Sequence, residues 1–382
     1  MSFDPAAIPL ALYLHFPWCV QKCPYCDFNS HGLRGAVPED AYVDALIRDL
    51  DFELAQPEPR PITSIFMGGG TPSLFSGRAI GRVLDAFAAR LHFAPDIEIT
   101  LEANPGTVDA GNFRDYRAAG VNRLSIGVQS LDDAMLKRLG RIHGHGDVVA
   151  TVDIARRAGF DNLNLDLMYA LPQQTEAEAT ADLRAAIRLA PEHLSYYQLT
   201  LEPNTAFAAQ PPPLPDDDSA WAMQLAGQAL LADAGYAQYE VSAYATAGRQ
   251  CRHNRNYWQF GDYLGIGAGA HGKRTFADGI ERRARHKLPR SFQSGAGSAG
   301  AIQEQRRLDA AELPFEFVMN ALRLNEGFTA ELLESRTGLT FAALADTLSA
   351  LAAKGLVEQV NGYHRPTSLG RAHLNTLIAE FL

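Results

Sequence analysis

Between residues 12 and 199 the chain alternates short β-rich runs with amphipathic helical ones, six times in succession. The strand-like runs are 12–16, 62–67, 97–102, 123–129, 162–168 and 193–199. Helical patterns fill the gaps at 38–55, 76–91, 109–119, 146–158 and 176–189. In the first of these, Tyr42, Ala45, Leu46 and Leu50 recur at the spacing of one helix face. Strands separated by helical crossovers must run parallel, so the expected class is α/β, a partial (β/α)6 barrel of TIM type. In such a barrel the chemistry sits where the strands end.

Polar and glycine residues cluster at those same ends. Cys19, Cys23 and Cys26 follow the first strand, and Gly68–Pro72 (GGGTP) follow the second. Glu102–Thr107 (EANPGT) end the third and Gly127–Ser130 (GVQS) the fourth. Asp166 and Tyr169–Pro172 close the fifth, and Leu201–Thr205 the sixth. Packing alone does not place six such runs on one rim.

The pattern changes after residue 205. PPPLPDDDS (211–219) reads as an exposed linker before a helix at 220–234. A block rich in glycine and aromatics follows, then a second flexible stretch at 294–301. Helical patterns return at 313–324, 329–337 and 341–354, followed by two short strands at 356–360 and 363–366 and a last helix near 369–381. Three units are expected: a core at 1–235, a connecting region at 236–308 and a C-terminal winged-helix-like α+β module at 309–382. That module carries five basic and nine acidic residues. With the whole chain at −10, this weighs against nucleic acid as a partner and favours a packing or partner role. The first residues lack a basic signal-peptide start, and no apolar run approaches membrane-spanning length. The expected location is the cytoplasm, where thiols stay reduced and clustered cysteines more often bind metal than pair.

CVQKCPYC places three cysteines in one polar, turn-like loop. An iron–sulfur cluster normally takes four thiolates, so three leave one iron open to a further ligand. A zinc ion with His31 or Asp27 as fourth ligand is the alternative.

The C-x3-C-x2-C loop, with Tyr25 before its last cysteine and GGGTP after the second strand, resembles the radical S-adenosylmethionine (SAM) superfamily. That resemblance implies a 4Fe–4S cluster on Cys19, Cys23 and Cys26, with SAM chelating the open iron. YLHFPWCVQKCPYCDFNSH, MGGGTPSLF, LEANPGT, RLSIGVQS, LGRIH and NLDLMYALP are together similar to the oxygen-independent coproporphyrinogen III oxidase family, over nearly the whole chain. It implies SAM contacts at Tyr13, Gly69, Gly70, Thr71, Glu102, Gln129, Arg141 and Asp166, with Tyr25 beside them. Carboxylates suit ribose hydroxyls or an ammonium group, and Arg141 suits a carboxylate.

The oxidase has a fourth cysteine two residues after the third; this chain has Phe28. With the short N-terminus and the block CRHNRNYW, that resembles the heme-chaperone (HemW-type) branch. The resemblance implies heme as a ligand, delivery to an apo-hemoprotein such as a membrane-associated respiratory enzyme, and an electron donor to the cluster. Radical decarboxylation of coproporphyrinogen propionates is the alternative. Within the block, His253 or the Cys251 thiolate are candidate iron ligands, and Tyr257 and Trp258 candidate stacking partners for the porphyrin. Arg252 and Arg255 are candidate propionate partners. A hydrogen-bonded scaffold is the competing reading of this block. His143, His145 and His271 are weaker ligand candidates.

Overall fold

The computed structural model describes residues 4–106 and 110–382. Thr107 and the expected helix start at Asp109 lie outside the described residues. The six expected strands are present as β1 (Leu10–Phe16), β4 (Ile62–Gly69), β5 (Phe93–Ala103), β6 (Arg123–Gln129), β7 (Leu163–Tyr169) and β8 (His193–Gln198). The short strands β2 (Trp18–Cys19) and β3 (His31–Gly32) pair in parallel and pin the two ends of the cysteine loop together. The crossovers are α1 (Glu39–Glu53), α2 (Gly77–Ala88), α3 (Ala110–Ala118), α4 (Asp133–Arg138) with α5 (His145–Arg157), and α6 (Glu176–Arg188). Side chains cap the starts of α2 and α6: Ser76 Oγ accepts from Ala79 N, and Thr175 and Glu178 form a capping box.

Beyond the sixth strand come α7 (Ala206–Ala209), α8 (Asp217–Asp233), β9 (Ala237–Gln238), β10 (Ala243–Ala245), α9 (Arg252–Trp258) and β11 (Asp262–Ile266). Next are β12 (His271–Phe276), β13 (Gly279–Arg285), α10 (Pro289–Gly295) and β14 (Ile302–Arg307). Among the described residues, twelve strands form one sheet in the order β14-β13-β12-β11-β1-β4-β5-β6-β7-β8-β10-β9. The run from β11 to β8 is parallel, and β11 is a seventh parallel strand that the sequence pattern did not reveal. The region 236–308 therefore supplies both margins of the sheet. The first strand of the chain lies inside it, flanked by β4 and β11.

Two loop expectations are corrected. The linker at 211–219 is shorter than expected, because Asp216 accepts from Ser219 N and caps α8, whose first turn holds Asp217 and Asp218. Carboxylates there complement the helix dipole. The flexible stretch at 294–301 is instead the end of α10 and a 3-10 turn over Ala299–Ala301, with Ala301 buried and Arg48 Nε donating to Ala296 O.

Buried ion pairs tie the added strands to the barrel. Asp262, fully buried, receives Arg60 Nη1 at 2.8 Å, Lys273 Nζ at 2.9 Å and Thr275 Oγ1 at 2.8 Å. Burial alone would raise its pKa, but Lys273 and Arg60 hold it below the usual carboxylate range. Arg285 of β13 reaches Asp49 and Glu53 of α1 in the same way.

The C-terminal module comprises α11 (Leu313–Ala321), α12 (Ala330–Thr337), α13 (Ala342–Ala353), the hairpin β15 (Val357–Val360) and β16 (Tyr363–Pro366), and α14 (Ser368–Ala372) and α15 (Leu374–Ala379). The single last helix expected near 369–381 is thus two short ones. Their apolar cluster around Phe317 also takes in Phe260 and Ile280, so the module packs against the sheet extension. No helix among the described residues is long and apolar enough to cross a membrane.

Candidate functional site

One cavity of about 530 Å³ opens at the strand ends, within the size range of small-molecule sites. Cys19, Cys23, Tyr25, Cys26, Gly69, Gly70, Thr71, Glu102, Gln129, Arg141 and Asp166 all line it. Eleven of the twelve residues expected at the cluster and SAM therefore share one wall system. All three cysteines are free and partly exposed. Cys19 Sγ accepts from Thr71 Oγ1 at 3.5 Å, Cys23 Sγ accepts from Arg141 Nη1 at 3.5 Å, and Cys26 Sγ lies 3.9 Å from Ser30 Oγ. Burial raises the Cys19 and Cys26 thiols.

The glycines hold this geometry. Gly69 has φ +111°, where a Cβ would strike the His15 ring, and its N–H donates to Glu102 Oε2 at 3.1 Å. Gly70 N donates to Phe16 O and Thr71 N to Trp18 O, and a Cβ on Gly70 would meet the Trp18 carbonyl at 2.6 Å. The GGGTP run thus fastens the cysteine loop to β4. Arg141 fastens it from the other side: Nη2 donates to Asn104 Oδ1 at 2.7 Å and Gly127 O at 2.6 Å. Gln129 turns with φ +68° at the end of β6, its Oε1 accepting from Tyr197.

Below the rim the cavity stays polar. Burial, reinforced by the nearby Asp166, pushes Glu102 up to about 8, against the Gly69 N–H. Burial also raises Asp166, while Ser195, Asn164 and Ser125 oppose it by hydrogen bonding. Arg123, 2% exposed, lines the cavity, and its Nε has no partner. Arg123, Ser125, Asn164, His193 and Ser195 escaped the sequence reading. They sit at alternate positions on β6, β7 and β8, in step with Gly127, Gln129, Asp166 and Tyr197, so a period-2 reading down each strand finds them.

Other expected residues lie outside the lining of the cavity. Tyr13 does not line the cavity. Its ring lies among Phe66 and His253, and its hydroxyl bonds His15 Nδ1, whose Nε2 reaches Asn29 O in the cysteine loop. Its role here is to brace that loop. The CRHNRNYW block forms α9, with Cys251 as its N-cap. His253 is buried between Ser64 and Phe66, and burial lowers its pKa to about 3. Cys251 is fully buried against Glu98, and Arg252 and Arg255 pair with Asp96 and Glu326. Trp258 packs against Arg323, and Tyr257 against Tyr263. Of this block, only Asn254 lines the cavity. His143 and His145 bond backbone carbonyls, and His271 lies at the exposed start of β12.

The donor set fits a cluster better than a lone ion. Among the described residues, no group of three or more His, Cys, Asp or Glu converges on a single metal position. His31, one of the two possible fourth ligands in the zinc alternative, lies 3.2 Å from Lys287 O. Three thiols spread around one wall suit the corners of a larger inorganic core. The unpartnered Arg123 Nε, with Glu102 and Asp166, marks the lower cavity as built for a polar ligand.

A family model described as "Radical SAM superfamily" matches residues 13–186, and one described as "HemN C-terminal domain" matches 308–373. The heme chaperone HemW of Escherichia coli is 52% identical, with 98% of each chain covered. HemW of Haemophilus influenzae is 47% identical, with 99% of each covered. The chain belongs to the HemW heme-chaperone family of radical SAM proteins. The radical SAM family implies a 4Fe–4S cluster and SAM. The solved coproporphyrinogen III oxidase HemN of Escherichia coli superposes with a TM-score of 0.83 at 25% identity, covering 98% of this chain and 90% of that one. The barrel and the C-terminal module are thus shared with a radical SAM enzyme.

A pH test follows from Glu102. Its carboxyl, raised to about 8, is mostly protonated at pH 7. SAM carries a net positive charge, which favours the ionised form. SAM affinity is expected to rise between pH 6 and 8 and level off above. Calorimetry at pH 7 in buffers of different ionisation enthalpy should report release of about one proton per SAM bound. A buffer-independent enthalpy would show that Glu102 keeps its proton.

Proposed function

We propose that this protein binds heme and hands it to an apo-hemoprotein, with a 4Fe–4S cluster on Cys19, Cys23 and Cys26 and SAM in the cavity above Glu102 and Asp166. End-to-end similarity to proteins named heme chaperones carries this reading. Phe28 stands where the oxidase family has its fourth cysteine, which separates the chain from that chemistry.

When bound, the cluster supplies an electron at an iron open to SAM. The protein's own residues do the rest. Thr71 Oγ1 donates to Cys19 Sγ and Arg141 Nη1 to Cys23 Sγ, so each of these sulfurs is held by a donor. Glu102, Asp166 and Gln129 offer hydrogen-bond partners at successive depths. Arg141, held by Asn104 and Gly127, presents a fixed cation beside Cys23 for a carboxylate. An electron donor reaches the cluster from the loop side, the recipient is an apo-hemoprotein of a respiratory complex, and the reduced cysteines suit the cytoplasm.

The test is transfer. Protein loaded with hemin is mixed with an apo-cytochrome and the two are separated by chromatography. The Soret band is expected to move to the cytochrome; its retention on the donor overturns the reading. The likeness to HemN supports coproporphyrinogen oxidation as a second reading. Protoporphyrinogen formed from coproporphyrinogen III, with SAM and reductant, would establish that instead.

A further inference from the structure

We propose that heme docks on the rim of the cavity, with its macrocycle against Phe28 and Leu288 and its propionates on Lys287 and Arg290. This rests on the heme-binding reading above and says where on the molecule it takes place.

Phe28 lines the cavity mouth yet is 61% exposed. Its carbonyl accepts from Lys22 Nζ at 3.0 Å and from Ser30 N at 2.7 Å, so the backbone is held while the ring stands in water. An exposed aromatic on a held backbone is the kind of anchor that contact sites use. The next residue, Asn29, donates through Nδ2 to Lys287 O at 3.0 Å, and His31 Nε2 lies 3.2 Å from the same carbonyl. These bonds bring residue 288 alongside the cysteine loop. Leu288 is also 61% exposed. Two large apolar side chains therefore stand in solvent on adjoining segments, Phe28 at the cavity wall and Leu288 just outside its lining.

The charge of this edge runs against that of the chain. The whole protein carries −10, but residues 19–31 and 286–293 hold Lys22, Lys287 and Arg290 against Asp27 alone. Lys287 and Arg290 are exposed and form no ion pair among the described residues. An apolar surface edged by unpaired cations complements a flat apolar ring that bears two carboxylates. SAM would take up much of the cavity of about 530 Å³, which leaves its open rim for a second, larger ligand. Phe28 thus gives the fourth-cysteine position a use of its own: it presents an apolar face to the ligand.

The experiment uses the full-length chain with its cluster reconstituted anaerobically. Hemin and hemin dimethyl ester, whose propionates are blocked, are titrated separately and followed in the Soret band. The unaltered protein is expected to bind hemin more tightly than the ester. Phe28→Ser should weaken both ligands about tenfold, and Leu288→Ser should repeat the effect from the other segment. Lys287→Glu with Arg290→Glu should weaken hemin about tenfold and leave the ester unchanged. All four positions are exposed, and unchanged far-UV circular dichroism checks that the variants fold. Hemin affinity unaltered in all of these variants, with binding intact in the parent, would overturn the rim and leave the heme-binding reading standing. No hemin binding by the parent would overturn both.

Discussion

Cys23→Ala is expected to lower bound iron from about four atoms per chain to fewer than one after anaerobic reconstitution. Two thiolates cannot hold a four-iron core against exchange with solvent. Cys23 also takes the hydrogen bond from Arg141 Nη1, so the variant removes that acceptor from the guanidinium. The loop should keep its path, because it is pinned by Leu33 N to Cys19 O, Thr71 N to Trp18 O and the β2–β3 pair, none of which uses Cys23. Iron and sulfide analysis with visible absorption reads the outcome. Four irons retained in the variant would sink the cluster assignment, and a single zinc in the parent would replace it.

Asp262→Ala is expected to be the most damaging single change to the fold outside the site. Asp262 balances Arg60 and Lys273, both buried, and accepts from Thr275 N and Oγ1. Removing it leaves the buried Lys273 without a carboxylate, while Arg60 keeps Glu58 at 2.7 Å. Breaking a buried pair from one side costs about 3–5 kcal/mol, and Lys273 is the cation left alone. Urea unfolding should show the loss as a lower midpoint, with the slope unchanged if the native state keeps its compactness. A midpoint within experimental error of the parent would mean that Lys273 finds another partner or sheds its proton.

The barrel was legible because its signal is local. Strand runs, helix periodicity and polar residues at strand ends all lie within about 20 residues of one another, and both ends of β6, Arg123 and Gln129, were read correctly. The seventh parallel strand was not legible. Asp262–Ile266 is five residues in a glycine-rich block, and only its partner 250 residues earlier makes it a strand. The same holds for α9. Its Cys, His and arginines look like a ligand set in one dimension, but Glu98, Ser64, Asp96 and Glu326, all distant in sequence, bond them. Tyr13 is a third case. Its place on β1 was right, while the ring's direction depended on His253 and Phe66 packing against it. The lower cavity was missed for another reason: attention to the strand ends passed over the alternate residues beneath them.

The position of β1 inside the sheet has a consequence for synthesis. A ribosome delivers Leu10–Phe16 first, and β4 can cover one side of it once residue 69 has emerged. The other side waits for Asp262–Ile266. Through some two-thirds of translation, a strand whose Leu10, Leu12 and Leu14 end fully buried keeps an open hydrogen-bonding margin. The nascent chain is therefore a client for folding helpers before it can serve any client of its own. A fragment cut at residue 235 should aggregate even though it contains every cysteine of the cluster loop.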